Sequence, residues 1–205
     1  MSTVTGLVLA AGASTRMGRP KQLLPAGGRP LLHRVLEQAL QSHLDSVFLI
    51  LGFMAEEIKE SLGPLHAHPK LRIFENRRYT EGISSSIITG LAGVGSSCDH
   101  VMIILGDMPF ITAPLINLLL DHYLASGLPL GAVGGEKRRG HPVIIHRRFF
   151  HELRGLKGDV GARDLFSRYR EQVCLVEPVE NYSDMDIDTA EDYSAFIASL
   201  KGKTP

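Results

Sequence analysis

Apolar and polar positions fall into two alternating kinds of block along this chain. Short apolar runs stand at Val4 to Ala10, Ser46 to Leu51, Leu71 to Glu75, His100 to Leu105, Leu130 to Val133, Pro142 to His146 and Val173 to Val176. Their length suits strands buried on both faces. Between them the apolar residues return at helical spacing. From Pro30 to Ser42, Leu31, Leu32, Val35, Leu36 and Leu40 share one face, and the proline suits a first turn. Further helices are expected at Ala55 to Leu62, closed by Gly63-Pro64, at Ser84 to Leu91, and from an N-cap at Thr112 to about Ala125. Others are expected at Arg148 to Arg154, at Gly161 to Tyr169, and from Thr189 to about Leu200. Ala11 to Gly28, rich in glycine, proline and charge, reads as a loop. This alternation predicts an α/β fold, Rossmann-like in three layers, with a mainly parallel sheet. No repeat or linker divides it, so a single domain over residues 1–205 is expected.

Composition narrows the classes. Hydrophobic residues at 44% against 21% charged describe a folded chain long enough to bury a core. Lys+Arg and Asp+Glu both number 22, a balance that argues against nucleic-acid binding but leaves room for a local basic pocket. Cys98 and Cys174 lack metal-ligand spacing and suit reduced thiols. No leader-like segment is evident, and no apolar run approaches the ~18 residues of a membrane span. A cytoplasmic protein without a membrane partner is expected.

In parallel sheets ligands bind beyond the carboxyl ends of strands. The loops after Ala10 and Leu105 both follow strands, so they should share a rim. The first runs L-A-A-G-A-S-T-R-M-G-R-P-K from Leu9 to Lys21. Small residues at Ala10, Ala11, Gly12 and Ala13 let backbone N–H groups approach an anion, and Arg16 and Lys21 add positive charge. The combination suits a triphosphate. It is neither a Walker loop, since Gln22 follows Lys21, nor a G-x-G-x-x-G dinucleotide fingerprint. On composition alone, a loop with two solvated cations remains open.

The segment resembles the L-A-x-G-x-x-x-R-M-G-x-x-K signature of the nucleotidyltransferase superfamily, matching at Leu9, Ala10, Gly12, Arg16, Met17, Gly18 and Lys21. It is most similar to the MobA-like branch, which attaches a nucleotide to molybdopterin. Guanylyltransferases of that branch tend to carry Gly-Gly after the alanine, and cytidylyltransferases Ala-Gly, as Ala11-Gly12 does here. The resemblance therefore implies a nucleotidyltransferase fold, with Leu9, Ala10, Ala11, Gly12 and Lys21 on the nucleotide and Arg16, Lys21 and Asp107 in catalysis.

Asp107 stands in Gly106-Asp107-Met108-Pro109, after the apolar run Met102 to Leu105. A carboxylate at a strand end can hold Mg²⁺ against phosphate, although from local sequence a turn former or helix-entry residue is the commoner reading. The resemblance assigns it to the metal. The resemblance also implies a second metal aspartate from Asp184-Met185-Asp186-Ile187-Asp188-Thr189, where Asp188 is favoured and Asp186 competes; Asp188 or Thr189 can also cap the last helix.

By the same resemblance Asn76, Gly82 and Ser86, in a segment that also carries Tyr79, contribute to base and ribose binding. From the residues alone a serine-capped helix entry stays open. Arg138-Arg139-Gly140-His141-Pro142, preceding a strand, and Gly155 to Arg163, preceding a helix, are glycine-rich and cationic. They are similar to the G-x-x-G-H-P and L-x-G-D-x-G-A-R motifs of the molybdopterin cytidylyltransferases. This places His141, Pro142, Gly158, Asp159 and Arg163 on the acceptor. The implied reaction moves CMP from CTP to the terminal phosphate of molybdenum-loaded molybdopterin with Mg²⁺ as cofactor. A molybdoenzyme or its maturation chaperone is the implied partner. A sugar-phosphate or polyol-phosphate acceptor, or a non-catalytic cofactor carrier, are the alternatives.

Overall fold

A strand that is apolar at every position needs cover on both sides, and this sheet has it. The computed structural model describes residues 2–14, 17–135, 138–178 and 182–201. Strands β1 (Val4–Ala10), β2 (Ser46–Leu51), β3 (Leu71–Glu75), β4 (His100–Leu105), β5 (Leu130–Gly135), β6 (Arg138–His146) and β7 (Val173–Val176) form one sheet in the order β3-β2-β1-β4-β6-β5-β7. β6 is antiparallel to both neighbours, and the other pairings are parallel. The helices are α1 (Leu31–Gln41), α2 (Ala55–Ser61), α3 (Ile83–Gly93), α4 (Ala113–Ser126), α5 (Phe150–Arg154), α6 (Arg163–Arg168) and α7 (Ala190–Lys201).

Strand alternation sorts the side chains into two cores. Val8, Leu49, Leu51, Met102 and Ile104 pack on Leu36 of α1, Ile58 of α2 and Leu119 of α4. Leu7, Phe48, Ile50 and Ile103 pack on Ile87 of α3, Leu153 of α5 and Phe166 of α6. The result is the three-layer α/β arrangement expected from the pattern. A third, smaller cluster joins Leu24, Ala26, Leu31, Ile187 and Phe196, which ties α7 to the segment between β1 and α1. Among the described residues no helix is long and apolar enough to cross a membrane.

Two of the expected helix starts hold, at Thr112 and at Thr189. Thr112 accepts from the Leu115 N–H at 3.3 Å and caps α4, which Gly127 closes at φ 66°. At α7, Asp192 N donates to Thr189 Oγ1 at 3.2 Å while Thr189 N donates to Asp192 Oδ2 at 2.8 Å, a reciprocal cap.

Four expectations change. The stretch read as loop contains a 3-10 turn at Lys21–Leu23, too short to leave a periodic signal. β6 begins at Arg138, not Pro142, because Arg138 and Arg139 pair with Gly135 and Gly134 of β5. Backbone pairing there needs no apolar side chains. The helix expected from Arg148 opens as a 3-10 turn at Arg147–Phe149, and the one expected from Gly161 starts at Arg163, after Gly161 at φ 60°.

Candidate active site

β1 and β4 are neighbours, with Leu9 opposite Leu105, and β1 turns to β2 on its other side. Strand order reverses at this point, so the loops after β1 and β4 open a crevice at the carboxyl rim. Gly106 N donates to the Leu9 carbonyl at 2.9 Å, which fixes one loop on the other. A cleft of about 240 Å³ lies there. Its walls include Leu9, Ala10, Ala11, Gly12 and Lys21 from the first loop, Gly106 and Asp107 from the second, and Tyr79, Gly82 and Ser86 beside α3. Apart from Asn76, the residues expected around a nucleotide thus meet in one place. Arg16 lies outside the described residues.

The first loop is held from below. Gln22 is buried, and its Nε2 donates to the carbonyls of Ala10 at 2.9 Å and Gly12 at 3.0 Å. These bonds occupy two carbonyls of the loop and help set its course. Sequence reasoning missed Gln22, since a polar residue beside a lysine looks like a solvated pair. Lys21 Nζ sits between two carboxylates, 2.5 Å from Asp107 Oδ2 and 2.7 Å from Asp188 Oδ1. Burial alone would depress the Lys21 ammonium, but Asp107 and Asp188 together outweigh it and hold it above its ordinary value.

Asp188 reaches this point because its segment is pinned. Ile187 N donates to the Asp107 carbonyl at 3.0 Å, and Ile187 is buried in the third core cluster. Thr189 takes the capping task, and Asp188 engages Lys21. Asp107 Oδ1 is buried and has no hydrogen-bond partner among the described residues. Asp186 lies toward the neighbouring cavity. Desolvation of its carboxyl, then the Asp188 and Asp107 carboxylates, raise Asp186 above its ordinary value although the residue as a whole is exposed.

Asn76 stands apart from the other expected nucleotide residues. It is buried behind the cleft, with Nδ2 donating to Ser85 Oγ at 2.8 Å and Ser86 Oγ at 3.0 Å, and Oδ1 accepting from Arg78 N at 3.0 Å. It therefore positions Ser86, which does line the cleft.

A second cavity of about 490 Å³ adjoins the first, sharing Ile83, Leu105 and Asp159 with it. Ile87, Ile103, Val143 and Phe166 give it apolar walls, and Arg139, His141 and Arg163 together with Asp159, Asp184 and Asp186 give it polar ones. The Arg139 guanidinium lies over the Phe166 ring, 5.7 Å from its centre. Burial pushes the His141 imidazole below its usual range, and its Nδ1 is buried without a hydrogen-bond partner among the described residues. The Tyr182 hydroxyl donates to the His141 carbonyl at 2.8 Å. Pro142 follows in β6 without lining either cavity.

The two chambers are bolted together. Ser84 Oγ donates to the Gly158 carbonyl at 2.6 Å, and Ile83 N donates to Asp159 Oδ1 at 3.1 Å. Gly82 has φ 93°, and a Cβ on it would lie 2.5 Å from the Gly158 carbonyl carbon. Only glycine permits this approach. Gly158 serves this contact and lines neither chamber, while Asp159 lines both.

The chain matches the MobA-like NTP transferase domain over residues 6–173. It belongs to that family. Among its relatives is nicotine blue oxidoreductase of Paenarthrobacter nicotinovorans, 30% identical over 92% of this chain and 93% of that protein. Another is the purine catabolism protein PucB of Bacillus subtilis strain 168, 30% identical over 92% and 93%. The crystal structure of an Rv0371c homologue from Mycobacterium sp. strain JC1 is 31% identical, covers 98% of both chains and superposes with a TM-score of 0.84. Rv0371c of Mycobacterium tuberculosis H37Rv, in complex with manganese, is 28% identical over 97% of this chain and all of that one, with a TM-score of 0.80. The MobA-like match ends before Asp186 and Asp188, so those two stand on the geometry of this fold.

Proposed function

We propose that this MobA-like nucleotidyltransferase moves CMP from CTP to the terminal phosphate of molybdenum-loaded molybdopterin, releasing pyrophosphate. The observation that carries the acceptor is the second chamber. Apolar walls from Ile87, Ile103, Val143 and Phe166 suit a flat heteroaromatic ring, and Arg139 and Arg163 suit its phosphate. A sugar phosphate would leave such walls unused. A pure carrier would have no need of Lys21, Asp107 and Asp188 at the adjoining chamber. The base assignment rests on Ala11-Gly12.

A phosphate oxygen of the acceptor attacks the α-phosphorus of CTP, the α–β bridging bond breaks, and pyrophosphate leaves with the electron pair. The second ionisation of a phosphate monoester lies near ~6, so the nucleophile is anionic at neutral pH and needs no general base. The protein's work is placement and charge neutralisation. Backbone N–H groups of residues 10–12 hold the polyphosphate, with Lys21 and Arg16 as its cations, and the second chamber orients the acceptor. His141, neutral, offers the acceptor a hydrogen-bonding nitrogen. The unpartnered Asp107 Oδ1 and the nearby Asp188 carboxylate fit a hard divalent cation, which takes one or two protein carboxylates and completes its shell with phosphate oxygens. When bound there, Mg²⁺ would offset the charge that builds on the phosphates. A manganese complex of Rv0371c supports a divalent ion in this family.

Residues 1–205 act in this reading as one catalytic domain, and the product passes to a molybdoenzyme or its maturation chaperone. Incubating the protein with molybdopterin, Mg²⁺ and each nucleoside triphosphate in turn tests the assignment. Pyrophosphate should appear fastest with CTP, and GTP preference or a requirement for a sugar phosphate would reject it. The name of nicotine blue oxidoreductase raises a redox reading. Reduction of nicotine blue by this chain with a nicotinamide nucleotide, and no triphosphate, would favour that reading instead.

A further inference from the structure

We infer that Lys21 competes with the divalent cation for the same two carboxylates, and so couples metal binding to nucleotide binding. The inference rests on the metal part of the reading above, and not on the identity of base or acceptor.

The Lys21 ammonium donates to Asp107 and to Asp188 at once, 2.5 and 2.7 Å away. These are the carboxylates suited to the ion, so an ion that takes Asp107 Oδ1 and Asp188 shares their charge with an ammonium it repels at close range, and the two cations compete for the pair. One ammonium on two carboxylates leaves a net charge of −1, whereas a divalent ion brings the pair to zero. The exchange also frees an ammonium that already lines the cleft beside residues 9–12, where a polyphosphate would take it up. Neither ligand alone completes the exchange. Metal without nucleotide strands the lysine with no anion, and nucleotide without metal draws it from two carboxylates left to repel each other. Together they are mutually favourable, which is positive coupling.

The carboxylates do not depend on Lys21 for their places. Ile187 N bonds the Asp107 carbonyl at 3.0 Å, and Asp188 N donates to Asp192 Oδ2 at 3.1 Å within the α7 cap. Removing the ammonium while keeping this backbone frame therefore leaves two acids held near each other, a better cation site than the wild type has. A lysine that merely helped to build the site would give the opposite result.

The test is a calorimetric titration of Mn²⁺ into the full chain without nucleotide or acceptor, for wild type, Lys21→Met, Lys21→Arg and Asp107→Asn. Lys21→Met should bind Mn²⁺ about tenfold tighter than wild type, and Lys21→Arg no tighter than wild type. Saturating CTP should tighten Mn²⁺ binding in wild type and do so less in Lys21→Met. In the wild-type chain itself, adding Mn²⁺ should increase amine labelling of Lys21, read by peptide mass spectrometry, a measurement that needs no variant to fold. Unchanged or weaker Mn²⁺ binding by folded Lys21→Met, or labelling that Mn²⁺ does not raise, would overturn the inference alone. Undiminished Mn²⁺ binding by Asp107→Asn would overturn both the inference and the metal reading beneath it.

Discussion

Asn76 and Ser86 sit one behind the other, and their chemistry separates cleanly. Asn76 spends its amide on Ser85, Ser86 and Arg78 and does not itself line the cleft. Replacing it by alanine leaves buried hydroxyls short of partners, so Asn76→Ala should cost about 1–3 kcal/mol of stability, read from urea unfolding. Ser86→Ala should instead raise KM for the nucleotide with little change in the unfolding midpoint. Equal loss of stability in both would show that Asn76 has no special place. A larger effect belongs to Gly82. Its φ of 93° and its contact with Gly158 mean that Gly82→Ala must part the two chambers. KM should then rise for both substrates, and a variant with unaltered kinetics would break the link drawn between them. The neighbourhood of these residues was legible through the family resemblance at Asn76, Gly82 and Ser86. The inward turn of the Asn76 amide was not, because a side chain's direction off a strand end depends on what the next helix offers it.

Elements carry the site through contacts that a local pattern does not reveal. α7 is the clearest case. Phe196 is fully buried, its ring packs edge-on against Phe110 at 5.6 Å, and the Tyr193 hydroxyl donates to the Pro25 carbonyl at 2.6 Å. The helix thus clamps the segment that carries Lys21 and the segment that carries Asp188. Phe196→Ala should cost about 3–5 kcal/mol by leaving a cavity, and should lower kcat although the residue touches no substrate. Full activity at a temperature where the variant is folded would argue that the clamp is dispensable. Six strands could be placed closely from apolar runs because both faces of the sheet are covered. β6 could not, since its first residues are arginines held by backbone pairing, and its antiparallel direction leaves no mark on hydrophobicity. The turn at Lys21–Leu23 escaped for a different reason: one turn is shorter than any helical period.

For the molecule as a whole, acid should be the weak side. At the end of β4 remote from the cleft, buried His100 bonds the Tyr123 hydroxyl at 3.0 Å and stacks edge-on against His146 at 5.1 Å. Burial, then His146, lowers His100 below 6.5, with Asp99 opposing; burial, then Arg148, lowers His146, again with Asp99 opposing. Both rings are kept neutral in the fold and charge more easily once unfolded. The unfolded chain therefore binds more protons just below pH 6.5, and stability falls as pH drops through that value. Urea midpoints should decline from pH 7.5 to 5.5 in wild type and decline less in a His100→Gln, His146→Gln double variant. A flat wild-type profile would contradict this.

Fold and rim were readable from strand alternation, and the phosphate loop from its small residues. What joins them into the proposed reaction centre is the meeting of Lys21, Asp107 and Asp188, which are far apart in sequence. The most direct test of that centre is single-turnover pyrophosphate release from CTP with molybdopterin and Mg²⁺, comparing wild type with Asp107→Ala. The account predicts release matched one-for-one by pterin consumed, and a loss of about 10²-fold or more in the variant. Release undiminished in Asp107→Ala would contradict it.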